Sequence, residues 1–407
     1  MLVNKAENLP VKEGGSPSRE SFLAFAAPII EDAAIESVTE TLKSGWIGTG
    51  PKVKSFEEEM AKFLGVKNAL ALNSCTAALH MSLMALGVGP GDEVIVPDMT
   101  FCATVNSVMF TGAKPVFADV DYDTMNLTAE TVRKVITSKT KAILPVHMAG
   151  LPVDLDPILE LAKEKGLYVV EDSAHAVEGM YKGKRTGTIG DVGCYSFYVT
   201  KNLTTAEGGM LVTNDDSQAL IARQASLHGL SADAWKRFSS QGFKHYEVVR
   251  LGYKYNMTDI AAAMGLVHMK KLDAYLKRRE EIWAKYDYGF KDLPLKIPSE
   301  IPGSYSEGSL HSRHLYIIRL ELDQLKISRD EFMCALQQEN IGVGIHYRAL
   351  HEHPLYIGNF GLVANNFPNA AKLSSEILSL PLSPKMSDQD VDDVIAAVRK
   401  LCGYYRK

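Results

Sequence analysis

The chain has 407 residues, of which 46% are hydrophobic and 23% charged. That length suits two or three domains of about 150 residues each, with ample core. Acids outnumber Lys plus Arg by 49 to 44, a formal charge of −5. This argues against a dedicated nucleic-acid binder, which carries a basic excess, yet allows a local basic pocket for a small anion.

In chain order, residues 1–20 come first, and their cluster Gly14, Gly15, Ser16, Pro17 and Ser18 predicts a flexible tail. The start does not read as a signal peptide, and no stretch supplies the roughly 20 apolar residues of a spanning helix. Residues 31–43 place Ala34, Ile35, Val38 and Leu42 at helical spacing. A turn-rich stretch at 45–51 follows, then a helix over 54–64 closed by Gly65. Apolar runs of strand length recur at 69–72, 93–96, 115–118, 142–146, 168–170, 194–197 and 210–212. Helix-length segments lie between most of them, at 75–86, 100–110, 129–136 and 157–165, the last with Asp156 as N-cap. This alternation predicts a largely parallel sheet covered on both faces. The last two runs lack an intervening helix, which predicts antiparallel or irregular pairing there.

Residues 260–279 read as one long helix, with its Lys and Arg late. Beyond it, a strand at 314–320, a helix at 329–338, an apolar run at 341–345 and a final helix from 387 or 388 to about 401 make a small α+β domain. The expected division is a tail at 1–20, a large domain at 21–272 and a small one at 273–407. Five cysteines, at 75, 102, 194, 334 and 402, lack metal-ligand spacing. They read as reduced thiols of a cytoplasmic protein, and no metal site is expected.

The chemistry concentrates between residues 170 and 210. A strand ends in Glu171-Asp172-Ser173-Ala174-His175, and the carboxyl end of a buried parallel strand is where open α/β sheets bind ligands. An acid there can also simply cap a helix. Lys201 lies between a strand and the turn Glu207-Gly208-Gly209. In a cleft, burial would lower its pKa and make it a Schiff-base amine; elsewhere it is an ordinary solvated charge. Asn73-Ser74-Cys75-Thr76-Ala77-Ala78 joins a strand to a helix, so its amides can face an anion, or Ser74 can merely cap. Phe101 opens the next helix and can stack on a planar ring. Together these features fit pyridoxal phosphate (PLP), which needs a lysine, an acid for the ring nitrogen and a phosphate nest.

Seven motifs in order carry a resemblance: residues 73–78, Thr100-Phe101, Pro145-Val146-His147, 171–175, 196–202, Glu207-Gly208-Gly209, and Gly252-Tyr253-Lys254-Tyr255-Asn256. The chain resembles the DegT/DnrJ/EryC1/StrS family of nucleotide-sugar aminotransferases over about residues 28–401. That resemblance implies a fold-type I, aspartate-aminotransferase-like α/β fold, with a mostly parallel seven-stranded sheet and a smaller C-terminal α+β domain. It implies that Lys201 holds PLP and moves the proton, that Asp172 pairs with the ring nitrogen, and that His175 bonds the ring oxygen. Phe101 would stack on the ring, with Ser74, Cys75, Thr76 and Ser196 on the phosphate. It further implies a homodimer with shared active sites, in which Lys254 or Asn256 meets the partner's phosphate. The commoner pattern at that loop is Gly-Tyr-Asn-Tyr-Arg, so this chain departs from it.

That Gly-Tyr-Lys-Tyr-Asn variant, with the stretches 311–314, 341–348 and 379–382, resembles the branch acting on UDP-4-keto sugars, most of all in lipid A modification. His346 and Arg348 would then meet the substrate, Arg being suited to a diphosphate. The expected reaction is amino transfer from L-glutamate, leaving 2-oxoglutarate, to a keto carbon of a nucleotide-linked sugar. C4 is the favoured carbon, and no nucleic acid or membrane partner is expected. Two alternatives stay open: a PLP-dependent sugar dehydratase, which in a related branch has His in place of the lysine, and a non-catalytic PLP-binding regulator.

Overall fold

The computed structural model describes residues 9–231 and 246–407. Its centre is a seven-stranded sheet in the order β1-β9-β8-β5-β4-β2-β3. The strands are β1 (Asn68–Leu72), β2 (Glu93–Pro97), β3 (Lys114–Ala118), β4 (Thr140–Ile143), β5 (Tyr168–Asp172), β8 (Val192–Ser196) and β9 (Gly209–Thr213), while β6 (Met180–Tyr181) and β7 (Lys184–Arg185) form a small separate hairpin. β9 runs antiparallel to both neighbours, and the other pairs are parallel. The fold is therefore α/β and mostly parallel, with the antiparallel pair falling where the helix is missing between β8 and β9.

The strands are buried almost throughout because helices cover both faces. Cys75–Ala85 is apolar nearly all round, and its own Leu79, Met81 and Leu83 are buried. Such a helix belongs in an interior. A smaller sheet of β10 (Leu295–Lys296), β11 (Tyr316–Leu320) and β12 (Ile377–Leu380) packs with the helices Leu272–Phe290, Arg329–Gln338 and Asp388–Tyr405 into a second core.

Several expectations need adjusting. The long helix at 260–279 is two, Asp259–Met269 and Leu272–Phe290. The Lys270 and Lys271 amides donate to Val267 and His268 carbonyls, a three-residue spacing that tightens the turn and redirects the chain. Asp156 is no N-cap: the helix is Leu155–Lys165, Asp154 precedes it, and Asp156 lies in its first turn. The run 341–345 forms single bridges, Leu23 to Ile341 and Gly344 to Ser379, rather than a strand.

The expected loose tail is tied down over its described part, residues 1–8 lying outside the described residues. Buried Glu339 accepts from the Val11 and Ser18 amides at 3.1 and 2.8 Å and pairs with Lys400 at 2.9 Å. Arg19 bridges Asp390 and Asp393. A buried carboxylate needs such partners, and this chain draws them from its own beginning.

Candidate active site

A cavity of about 400 Å³ opens at the carboxyl ends of β5 and β8. Its wall includes Ser74, Cys75, Thr76, Phe101, Asp172, His175, Ser196, Lys201 and His346. Nine residues singled out from sequence thus share one wall.

Asp172 ends β5 and is buried. Its carboxylate accepts from the Thr104 hydroxyl at 3.0 Å and the Ala174 amide at 3.1 Å. Burial raises its pKa, while those hydrogen bonds and the charge of Lys201 pull it down. Lys201 follows β8, and burial lowers its amine to about 8, against the opposing pull of Cys75 and Asp172. An amine of that pKa is substantially unprotonated at mildly alkaline pH, as a nucleophile must be.

Buried His175 accepts at Nδ1 from the Ala149 amide, 3.3 Å away. A ring accepting at Nδ1 carries its proton on Nε2, so it donates from Nε2 to the Tyr347 hydroxyl at 3.1 Å. Burial, with Lys201 and His346 nearby, holds its pKa well below the usual value and keeps the ring neutral.

Ser74 caps the helix Cys75–Ala85 by accepting from the Ala77 amide. The first amides of that helix, Cys75 and Thr76, have no intrahelical acceptor and form an anion-binding end. The strand beneath must lie unusually close: a Cβ on Gly209 would overlap the Ser74 carbonyl carbon and the Cys75 nitrogen. Only glycine permits that approach. Phe101 presents its half-exposed ring 5.5 Å from Tyr347, and His346 stacks on Phe25 while bonding Ser379 at 2.9 Å.

Three expected residues lie off this wall. Arg348 is exposed and paired with Glu352 four residues on, the ordinary solvated arrangement. Lys254 bonds Asn256, which donates to Thr49 at 2.6 Å, while the Tyr255 carbonyl accepts from the Asn73 amide. The loop thus flanks the Ser74 turn without entering the cavity of its own chain. Conversely, Phe25, Thr104, Tyr198, His314 and Tyr347 line the wall and were not read as site residues. Tyr198, His314 and Tyr347 sit inside stretches already singled out, and that is the signal that could have found them.

The donor set fits PLP: an amine of lowered pKa, a buried carboxylate, a histidine N–H and a glycine-floored helix end meet at one cavity. Residues 28–399 match the sequence profile of the DegT/DnrJ/EryC1/StrS aminotransferase family. The chain belongs to that family. Its members are PLP-dependent sugar aminotransferases, and this chain is an enzyme of that kind. It is 48% identical over 384 residues to the spore coat polysaccharide biosynthesis protein SpsC of Bacillus subtilis, covering 94% of this chain and 98% of SpsC. Among solved structures, the PMP-form of Spr1654 from Streptococcus pneumoniae superposes with a TM-score of 0.86 at 35% identity, covering 94% of this chain and 98% of that one. The same protein is known in a PLP-form. PseC of Helicobacter pylori, an aminotransferase of pseudoaminic acid biosynthesis, gives 0.86 at 28% identity, over 95% of this chain and all of PseC (100%).

Proposed function

We propose that the chain moves an amino group from L-glutamate to a keto carbon, C4 in our reading, of a nucleotide-linked sugar destined for a cell-surface polysaccharide. The observation that carries this reading is Lys201, its amine lowered to about 8, sharing a cavity wall with buried Asp172. SpsC and PseC, named for polysaccharide and sugar-acid biosynthesis, support the surface-sugar role.

When bound, PLP supplies an electron sink and carries the amino group between two half-reactions. Lys201 Nζ would hold it and, once freed by the incoming amine, would take the proton from the donor's α-carbon and return one to the sugar carbon. Asp172 pairs with the ring nitrogen, and the resulting charge contact favours the ionised carboxylate that burial alone disfavours. His175 would turn its Nε2 proton from the Tyr347 hydroxyl to the ring oxygen, and Phe101 would cover the ring face. The Cys75 and Thr76 amides, with the Ser196 hydroxyl, take the phosphate, while Ser74 secures the turn. His346 contacts the sugar nucleotide.

Lys201 is the one lysine or arginine on the cavity wall among the described residues, so a diphosphate needs charge from elsewhere. A homodimer with shared sites supplies it, with Lys254 or Asn256 of a second copy reaching in. Ile35 and Leu42 on the helix Asp32–Ser44, Trp46 and Ile47 on the loop after it, and Val248 and Leu251 just before Gly252 are exposed apolar residues and support a covered surface. The cytoplasm is the proposed compartment: all five cysteines are free, and no helix among the described residues is long and apolar enough to cross a membrane.

Borohydride reduction of the holoenzyme followed by peptide mapping tests the reading. The label is expected on Lys201, and label elsewhere overturns the assignment. Lys201→Ala is expected to lose the bound-cofactor absorbance and all turnover. Mixing the pyridoxamine form with a panel of nucleotide keto sugars then identifies the acceptor. An amino sugar product supports transamination, whereas a deoxy sugar without amine makes the enzyme a dehydratase.

A further inference from the structure

Behind Lys201 lies a buried polar chain that the reaction as described leaves unused. Arg279, 1% exposed, donates from Nη2 to Glu178 Oε1 at 2.5 Å, and Glu178 is itself 2% exposed. The two form a buried ion pair, and a carboxylate paired with a guanidinium only accepts hydrogen bonds. Asn202, the residue after Lys201, lies 2.8 Å from Glu178 Oε2 and 3.0 Å from the Ser312 carbonyl through one atom of its amide. Both neighbours are acceptors, so that atom is the NH2 group. The amide orientation follows from the network rather than from shape.

The other end of the amide is then fixed as well. Asn202 Oδ1 lies 2.9 Å from Nδ1 of His314. A carbonyl oxygen cannot donate, so His314 carries its proton on Nδ1, and its Nε2 is a lone pair. Asn202 does not line the main cavity, whereas His314 does. The ring therefore turns its donor inward to Asn202 and offers its acceptor edge to the cavity.

The main chain holds this ring in place. The His314 amide donates to the Ala149 carbonyl at 3.1 Å, and the Ser312 amide donates to the Gly150 carbonyl at 3.0 Å. The same Ala149 donates its amide to His175 Nδ1, so one residue ties the His175 ring to the His314 main chain, and the two ring centroids are 4.5 Å apart. The two rings end in opposite tautomers. His175 shows an N–H, and His314 shows a lone pair.

We propose that His314 is a substrate-binding residue whose Nε2 accepts a hydrogen bond from a protic group of the bound substrate. Asn202, Glu178 and Arg279 are the positioning residues that fix its tautomer. The groups facing His314 are His175, Lys201, His346 and Arg279, and with burial they keep the ring neutral and so able to accept. Two protic groups reach this cavity in the proposed reaction, the ammonium of the amino donor and a hydroxyl of the sugar. The inference rests on that reading of the reaction.

The test separates the two half-reactions in holoenzyme, by single-turnover absorbance with glutamate and, from the pyridoxamine form, with the accepted keto sugar. His314→Phe keeps a ring against His175 but offers no acceptor, and is expected to slow one half-reaction by about tenfold or more, the loss of a hydrogen bond to a charged or buried group. Loss with glutamate assigns the ammonium, and loss with the keto sugar assigns the hydroxyl. His314→Gln can place an amide oxygen near the Nε2 position and is expected to recover part of the rate. Asn202→Leu removes the acceptor that fixes the Nδ1 proton. The affected half-reaction should then slow, and the His314 ring nitrogens should move toward the other tautomer.

An independent readout uses apoenzyme labelled with 15N in histidine, where the His314 signals should show protonated Nδ1 and bare Nε2. The opposite tautomer overturns the proposal. So do wild-type half-reaction rates in His314→Phe with normal cofactor absorbance, or a Gln variant no better than Phe. Failure of the parent protein to bind PLP or to transaminate would instead remove the underlying reading, which the parent control reports directly.

Discussion

Lys201 shows how much of this site rests on placement of single groups. Its amine is lowered from 10.5 to about 8, first by burial, with Cys75 and Asp172 opposing. Only the unprotonated amine attacks a carbonyl, so uptake of PLP by apoenzyme should quicken as pH rises and level off above about 8. Asp172 is one of the charges that favour the ammonium. Asp172→Asn should therefore shift that midpoint further down, while weakening the cofactor's hold on its ring nitrogen. Stopped-flow absorbance after mixing apoenzyme with PLP across neutral to alkaline pH reads both. A parent midpoint near the ordinary 10.5 would show that the amine is not desolvated. Much of this was legible in sequence: a lysine before a Gly-Gly turn and an acid ending a strand each have an ordinary reading alone, and only their combination with the Ser74 turn pointed to one site. What was not legible is the tautomer of His314. It is set by Asn202, Glu178 and Arg279, which come from three separate parts of the chain.

At the scale of elements, the phosphate end is a strand, a turn and a helix pressed onto a neighbouring strand. β9 begins at Gly209, directly beneath Ser74 and Cys75. Gly209→Ala adds a methyl where backbone atoms already sit, and overpacking of that kind costs about 1–3 kcal/mol. The expected result is a lower thermal midpoint and a PLP affinity weaker by about tenfold or more, because the helix end must move off its anion. Gly89→Ala, at a glycine with open space, is the control and should change neither. Fluorescence titration with PLP, paired with thermal unfolding, separates the two effects; unchanged affinity in Gly209→Ala would mean the turn relaxes without loss. The sequence pattern located these elements well because period and punctuation are local. It says less where packing decides. Ile35 and Leu42 were placed on a helical stripe, and the helix is there, yet both side chains are half exposed. An apolar stripe says that a face is covered, not which molecule covers it. The break at Lys270 carries no glycine or proline, so only the packing of the two flanking helices could reveal it.

At the scale of the molecule, the C-terminal part returns to the large sheet instead of standing apart. Leu350, Tyr356, Phe367, Ala370 and Leu373 are buried in the same cluster as Val94 and Val96 of β2. The joint is Asp98, just beyond β2. Its carboxylate accepts from the His351 amide at 3.0 Å and contacts His351 Nδ1 at 2.5 Å, and its carbonyl accepts from the Leu350 amide. Burial pulls the His351 pKa down, but the Asp98 carboxylate outweighs it and the net shift is upward. For a group raised on folding, the stabilisation is complete below its unfolded value, near 6.5, and fades as pH climbs through the higher folded value. Asp98→Asn keeps an acceptor for the amide but removes the charge. The thermal midpoint of the variant should therefore fall furthest below the parent's at mildly acidic pH, and the gap should narrow toward alkaline pH as His351 loses its proton. A gap independent of pH would mean that the pair contributes as a neutral hydrogen bond alone. His346 and Tyr347 ride on the same segment and line the cavity, so the clasp also orients the substrate wall. Loosening it should raise KM for the keto sugar with less effect on PLP, whose expected contacts stand on the large sheet. Equal losses for both would place the joint under the cofactor instead.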